Sequence, residues 1–158
     1  MIVRLDDNAR ITIANSNTGQ ELWSLPFPQA ADNLFFPGRF PLHIEHFDNI
    51  IVFYYGMDRS KKIEAYELES GKLLWEISEH FDSVPTLVDG KIIAYRFDDG
   101  LMIYDAHNGL LMGRVTLTRT LNDNSTWQSR PVWLAGHENT IALIYLGSAE
   151  LLTLQIGE

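Results

Sequence analysis

The 158-residue sequence predicts an all-β chain built from about four antiparallel sheets, with fewer strands in the first and last. Three observations predict it. The apolar runs are short, rich in Ile, Val, Tyr and Phe, and closed off by Gly, Asp, Asn or Pro, which is strand chemistry rather than helix chemistry. A glycine-anchored segment recurs, as "ITIANSNTGQELW" (11–23), "IEAYELESGKLLW" (63–75), "MIYDAHNGLLMG" (102–113) and "LLTLQIGE" (151–158). Ahead of three of those glycines, a proline opens an apolar run, at Pro41, Pro85 and Pro131.

Taken in order, the first unit (about 1–27) has three candidate strands, "MIVRL", "RITIANS" and "ELWSLPF". The second (38–78) opens at "FPLHI", continues through "NIIVFYY" and ends in the glycine segment at Gly71. The third (83–118) is the most complete. Asp89-Gly90 separates its first two runs, where positive φ suits a tight hairpin, and Asp99-Gly100 and Asn108-Gly109 punctuate the next two connections. "LLMGRVTL" supplies its fourth strand. The last unit (129–158) has three, "RPVWLA", "TIALIYL" and "ELLTLQI". Proline at the first residue of a strand is tolerated because no ladder donor is needed there. Four antiparallel strands repeating at roughly 40 to 50 residues are the signature of a β-propeller blade. The expectation is one β-propeller-like domain over 1–158, an array of about four blades of three to four strands with incomplete terminal blades. Either those terminal blades complete one another or two chains associate to share a larger ring; open edge strands favour association, a homodimer that completes the propeller.

The pattern Pro-x-(apolar)-x-Asp-Gly-(apolar run)-Asp-Gly-x-(apolar)-Tyr-x-x-x-x-Gly-x-x-x-Trp resembles the repeat of the pyrroloquinoline-quinone-like β-propellers. The third unit carries it at Pro85, Asp89, Gly90, Asp99, Gly100, Tyr104 and Gly109 but has Gly113 where the family has tryptophan; the first two units keep Trp23 and Trp75. The resemblance implies blade architecture and leaves function open, because enzymes, assembly factors and binding proteins share the repeat. The family's dehydrogenases place a calcium ion and a vicinal cysteine pair beside a quinone. This sequence has no cysteine, and no cofactor is expected.

Composition narrows the class of partner. Hydrophobic residues make up 46% and charged residues 21%, within the globular range. A formal net charge of −9 disfavours nucleic acid and anionic lipid and favours a basic protein partner. The start "MIVRLDDNAR" lacks a signal-peptide pattern and no apolar run approaches a membrane span, so a cytoplasmic protein is expected.

No catalytic constellation emerges, and the expectation is a protein that is not an enzyme. In "HIEHFD", strand alternation sends His43 and Glu45 to one face and His46 to the other, which does not converge on a metal ion. His80, His107 and His137 stand at or beside turns. Asp98 and Asp99 precede Gly100, where turn chemistry asks for Asp or Asn. Trp23 and Trp75, at equivalent repeat positions, are expected to interlock neighbouring blades. Partner contact is expected at residues the repeat leaves unexplained: Phe35 and Phe36 in the 26–40 insertion, Trp127 in the polar 119–130 loop, and Glu64, Glu67 and Glu69 of an acidic series. The most concrete reading is an acidic inhibitor of the immunity or antitoxin kind, neutralising a basic toxin or nuclease. A propeller binding a small molecule or glycan in its channel is the alternative. An assembly scaffold is a further one, which the absent leader and lipid-attachment cysteine disfavour.

Overall fold

A computed structural model describes residues 1–6, 10–26, 43–57, 60–96, 99–116, 131–137, 140–145 and 151–155. Among them are fourteen strands and no helix, so no helix is long and apolar enough to cross a membrane. The strands form four antiparallel sheets in simple meander order.

The first sheet contains β1 (Ile2–Leu5), β2 (Arg10–Ala14) and β3 (Glu21–Pro26). The second contains β4 (His43–Phe47), β5 (Ile50–Met57), β6 (Ser60–Glu67) and β7 (Leu73–Glu79). In the third are β8 (Thr86–Val88), β9 (Lys91–Arg96), β10 (Gly100–Asp105) and β11 (Leu111–Val115). The fourth holds β12 (Pro131–His137), β13 (Thr140–Tyr145) and β14 (Leu151–Gln155). The all-β array of three- to four-stranded blades expected from the repeat is therefore the observed architecture.

The chain divides into two compact units, Met1–Ile77 and Ser78–Glu158. In the first, Ile11 and Ile13 of β2 meet Ile51 and Phe53 of β5, and Trp23, Leu25 and Tyr66 pack around them. Alternate residues of each strand supply this layer, as a pleated sheet requires. In the second, Val88, Ile93, Tyr95 and Leu101 of the third sheet pack against Leu134 and Ile141 of the fourth. The approach is close enough at Gly136 that an added Cβ would collide with Val88.

The turns repeat as faithfully as the strands. Gly19, Gly71 and Gly109 all have φ near +70° (69°, 68° and 71°), and each donates its N–H to the carbonyl four residues back, on Asn15, Glu67 and Asp105 at 2.9, 2.9 and 2.8 Å. Three of the glycines that aligned the repeat thus close one recurrent turn, and Gly157 lies outside the described residues. Asp89 and Gly90 both take positive φ, 46° and 68°, in the two-residue hairpin joining β8 to β9, the combination that a tight hairpin of matching twist demands.

Candidate interaction surfaces

Trp23 lies on β3 and reaches across to the second sheet. Its Nε1–H donates to the Leu68 carbonyl at 2.8 Å, and its indole stacks on Tyr66 (centroids 5.8 Å apart) and meets Phe53 edge-on at 6.4 Å. A Cβ added at Gly71 would come within 2.5 Å of its ring. The interlock expected from repeat position is present at Trp23. Trp75, half-buried on β7, holds the equivalent position.

Polar groups inside the first unit are turned on one another. Glu64 pairs in register with Phe53 and shares its face, so the residue is only 8% exposed. It accepts the Tyr66 hydroxyl at 2.8 Å and lies 3.6 Å from Lys62 Nζ, which is also 3.4 Å from Glu76. Burial, then hydrogen bonding to Glu64, raises the Tyr55 and Tyr66 hydroxyls above their ordinary value. Lys62 is raised chiefly by its hydrogen bond to Glu76. A buried carboxylate is tolerated here because every lone pair in use has a donor.

On β4, His43 Nε2 lies 2.8 Å from Glu45 Oε1, and its ring stacks on Tyr54 with centroids 5.6 Å apart. The Tyr54 hydroxyl reaches Glu45 at 3.4 Å, and burial raises its pKa well above the ordinary value. His46 is exposed and pairs in register with Ile51 instead. Among the described residues, no three of His, Cys, Asp and Glu converge as a metal site would.

In the second unit, Glu79 accepts from Arg96 Nη1 at 3.2 Å and from the Tyr104 hydroxyl at 3.1 Å. Arg96 Nε meets Asp99 at 2.8 Å, and Arg114 approaches the other oxygen of Asp99 at 3.2 Å. Asp99 is thus a turn residue, its N–H donating to the Arg96 carbonyl at 3.2 Å, and also a bridge between two arginines. Burial and Glu79 raise the Tyr104 hydroxyl.

Of the expected contact residues, Phe35, Phe36 and Trp127 lie outside the described residues. The three glutamates do not share a surface: Glu64 is interior, Glu67 is half-buried and accepts the Ser70 hydroxyl, and Glu69 is exposed. What the sequence reading missed is a set of apolar side chains left in water on the outermost strands. Leu22 of β3 is 41% exposed and Leu73 and Leu74 of β7 are similarly open; Leu110 is 67% and Met112 of β11 59% exposed, with Leu111 and Val115 beside them. These strands end their sheets among the described residues. The signal was present in "GKLLW" and "GLLMG", where apolar residues follow the turn glycine without alternation.

A family model described as outer membrane protein assembly factor BamB matches residues 7–143, most of the chain. The chain belongs to that family. Its blades are those of a PQQ-like propeller repeat protein, which is the resemblance its sequence carries. No curated protein matches it in sequence. Among solved structures, the computationally designed Ika4 protein superposes with a TM-score of 0.59 at 16% identity, covering 98% of this chain and 84% of that one. The β-propeller domain of Cps50 (Swd1) from Myceliophteria thermophila gives 0.56 at 9% identity, covering 96% of this chain and 46% of that one. The C-terminal WD40 domain of Sif2 gives 0.51 at 16% identity, with 96% and 41% covered. This PQQ-like chain therefore spans less than half of either natural propeller, and the likeness is one of fold.

Proposed function

We propose that the chain is a non-catalytic protein-binding module whose partner is basic. The observation that carries this reading is the exposed apolar stretch at the start of β11, Leu110, Leu111 and Met112, large enough to favour a protein surface over water. The net charge of −9 adds long-range attraction for a cationic partner. Its most concrete form is an acidic inhibitor of the immunity or antitoxin kind, seated on the cationic face of a toxin or nuclease in the cytoplasm. In the same proposal the four blades act as one domain, and two chains associate to complete the propeller.

The test is affinity capture on the immobilised chain at low and high salt, followed by the same capture with Leu110→Ser and Met112→Ser together. A basic protein is expected, released by salt and held at least tenfold less by the double variant. Retention of neutral or acidic proteins only, or capture indifferent to both salt and the double variant, rules the reading out.

A second reading, an assembly scaffold, is favoured by the family's description as an outer membrane protein assembly factor. It predicts capture of membrane-protein assembly components rather than of a soluble toxin.

A further inference from the structure

The residue before the turn glycine does the same job in three blades. Thr18 Oγ1 accepts the Gln20 N–H at 3.2 Å, Ser70 Oγ accepts the Lys72 N–H at 3.2 Å, and Asn108 Oδ1 accepts the Leu110 N–H at 2.9 Å. A short side chain with an acceptor oxygen bonds the backbone two residues on, so Thr, Ser and Asn serve the turn alike. They differ in chemistry. Of the three turns, only that of the third blade uses a carboxamide, whose carbon is an electrophile, and Asn108-Gly109 is the one Asn-Gly pair of the sequence. Glycine has no Cβ to screen its backbone nitrogen.

An Asn-Gly pair deamidates when the glycine nitrogen, having given up its proton, attacks the side-chain Cγ. An N–C bond forms, ammonia leaves, and water then opens the cyclic imide to aspartate or isoaspartate. In this turn each reacting group is held. The Gly109 N–H donates to the Asp105 carbonyl at 2.8 Å, so loss of its proton forfeits a bond. Asn108 Nδ2, the leaving nitrogen, donates to Asp105 Oδ2 at 2.9 Å, and Oδ1 is taken by Leu110. Asp105 thus holds the nucleophile through its backbone and the leaving group through its carboxylate. Its own N–H closes the turn on the Leu110 carbonyl at 2.9 Å. Proton loss and movement of the carboxamide both break bonds of the closed turn, so conversion belongs to the open turn, reached by local opening.

Asn108 is exposed, so water and base reach it whenever the turn opens. We infer that Asn108 is a latent deamidation site, guarded by Asp105 and converted to aspartate or isoaspartate when the β10–β11 turn opens. The product matters because of where it stands. A carboxylate at position 108 replaces the Nδ2–H that now donates to Asp105, so an attraction becomes a repulsion. Isoaspartate also lengthens the backbone by one carbon just ahead of Leu110, Leu111 and Met112, the exposed apolar stretch at the start of β11. Conversion is read by mass alone, so the inference goes beyond the protein-binding reading and stands or falls without it.

The full chain is incubated in mildly alkaline buffer, folded and in urea, and followed by peptide mapping that separates aspartate from isoaspartate. A gain of one dalton at Asn108 is expected at least tenfold faster in urea than in the folded chain, with Asn108 the first asparagine to convert there. Asp105→Asn keeps one oxygen for the His107 N–H, as Asn15 does for Asn17 in the first blade, but gives up the acceptor of Asn108 Nδ2. The folded variant, checked by circular dichroism, should convert at residue 108 at least threefold faster than the folded parent. Asn108→Ser keeps the turn oxygen that Ser70 supplies in the second blade and should show no gain at that position. Conversion of the folded parent as fast as in urea, Asp105→Asn no faster than the parent, or another asparagine converting first in urea overturns the inference.

Discussion

Trp23 lies against Gly71 so closely that a single added carbon, Cβ, would sit 2.5 Å from Cδ2 of the indole. Gly71 also has φ of +68°, so two separate costs attach to any other residue there. Gly19 separates them, because it shares the conformation (φ +69°) but has nothing within 4 Å of an added Cβ.

Gly19→Ala is expected to lose about 1–2 kcal/mol, the cost of a left-handed backbone for an L-residue. Gly71→Ala should lose that and roughly 1–3 kcal/mol more for overpacking against Trp23. Trp23→Ala alone should cost about 3 kcal/mol, since the ring is half-buried and carries a hydrogen bond. In a double-mutant cycle read by urea denaturation, the excess at Gly71 should vanish in the Trp23→Ala background.

The opposite outcome is expected at Gly113, which stands on β11 where the first two blades have tryptophan. An added Cβ meets nothing within 4 Å and φ lies outside the left-handed region. Gly113→Ala should stabilise by about 0.4–1 kcal/mol through the unfolded chain, seen as a raised Tm.

Asp105 anchors the β10–β11 turn. Its carboxylate accepts the His107 N–H at 2.7 Å and the Asn108 side-chain N–H at 2.9 Å. Those bonds, the His107 N–H first, hold its pKa below the ordinary 3.8. The stabilisation is present above 3.8 and is lost as pH falls through the lowered folded value. Asp105→Ala should cost about 1 kcal/mol at neutral pH, with the gap to the parent closing in acid. Asp105→Asn should cost less, because Asn15 caps the same turn in the first blade with its amide oxygen.

Tyr54, Tyr55, Tyr66 and Tyr104 all have hydroxyls raised above 10.0, chiefly by burial and then by Glu45, Glu64 or Glu79. Each proton is held more tightly in the folded state. Their contribution is complete below the unfolded value near 10 and falls as pH rises from there towards the folded values. An alkaline titration should therefore show tyrosinate absorbance for these four rising together with loss of the folded circular dichroism signal. Ionisation of all tyrosines at the ordinary value with the fold intact would contradict it.

Much of the fold could be read before any coordinates. The turn glycines, the Asp89-Gly90 hairpin and the interlocking role of Trp23 follow from residue types at repeated positions, because local backbone geometry limits which residues can stand there. Strand alternation also placed His43 with Glu45 and apart from His46. The contact surface was harder to read. Alternation assigns side chains to two faces without saying which face is wet, so Glu64 counted with Glu67 and Glu69 although its face is packed beneath Phe53 and Tyr66. The ties of Glu79 to Arg96 and Tyr104 join residues on different strands, with no local signature.

The sequence by itself determined the strands, their turns and the blade repeat, since these depend on propensity and spacing within a few residues. Only the tertiary structure decided which carboxylates are buried and paired and which leucines stay in water. Those depend on which sheet lies over which face, and that is settled by packing between segments far apart in the chain.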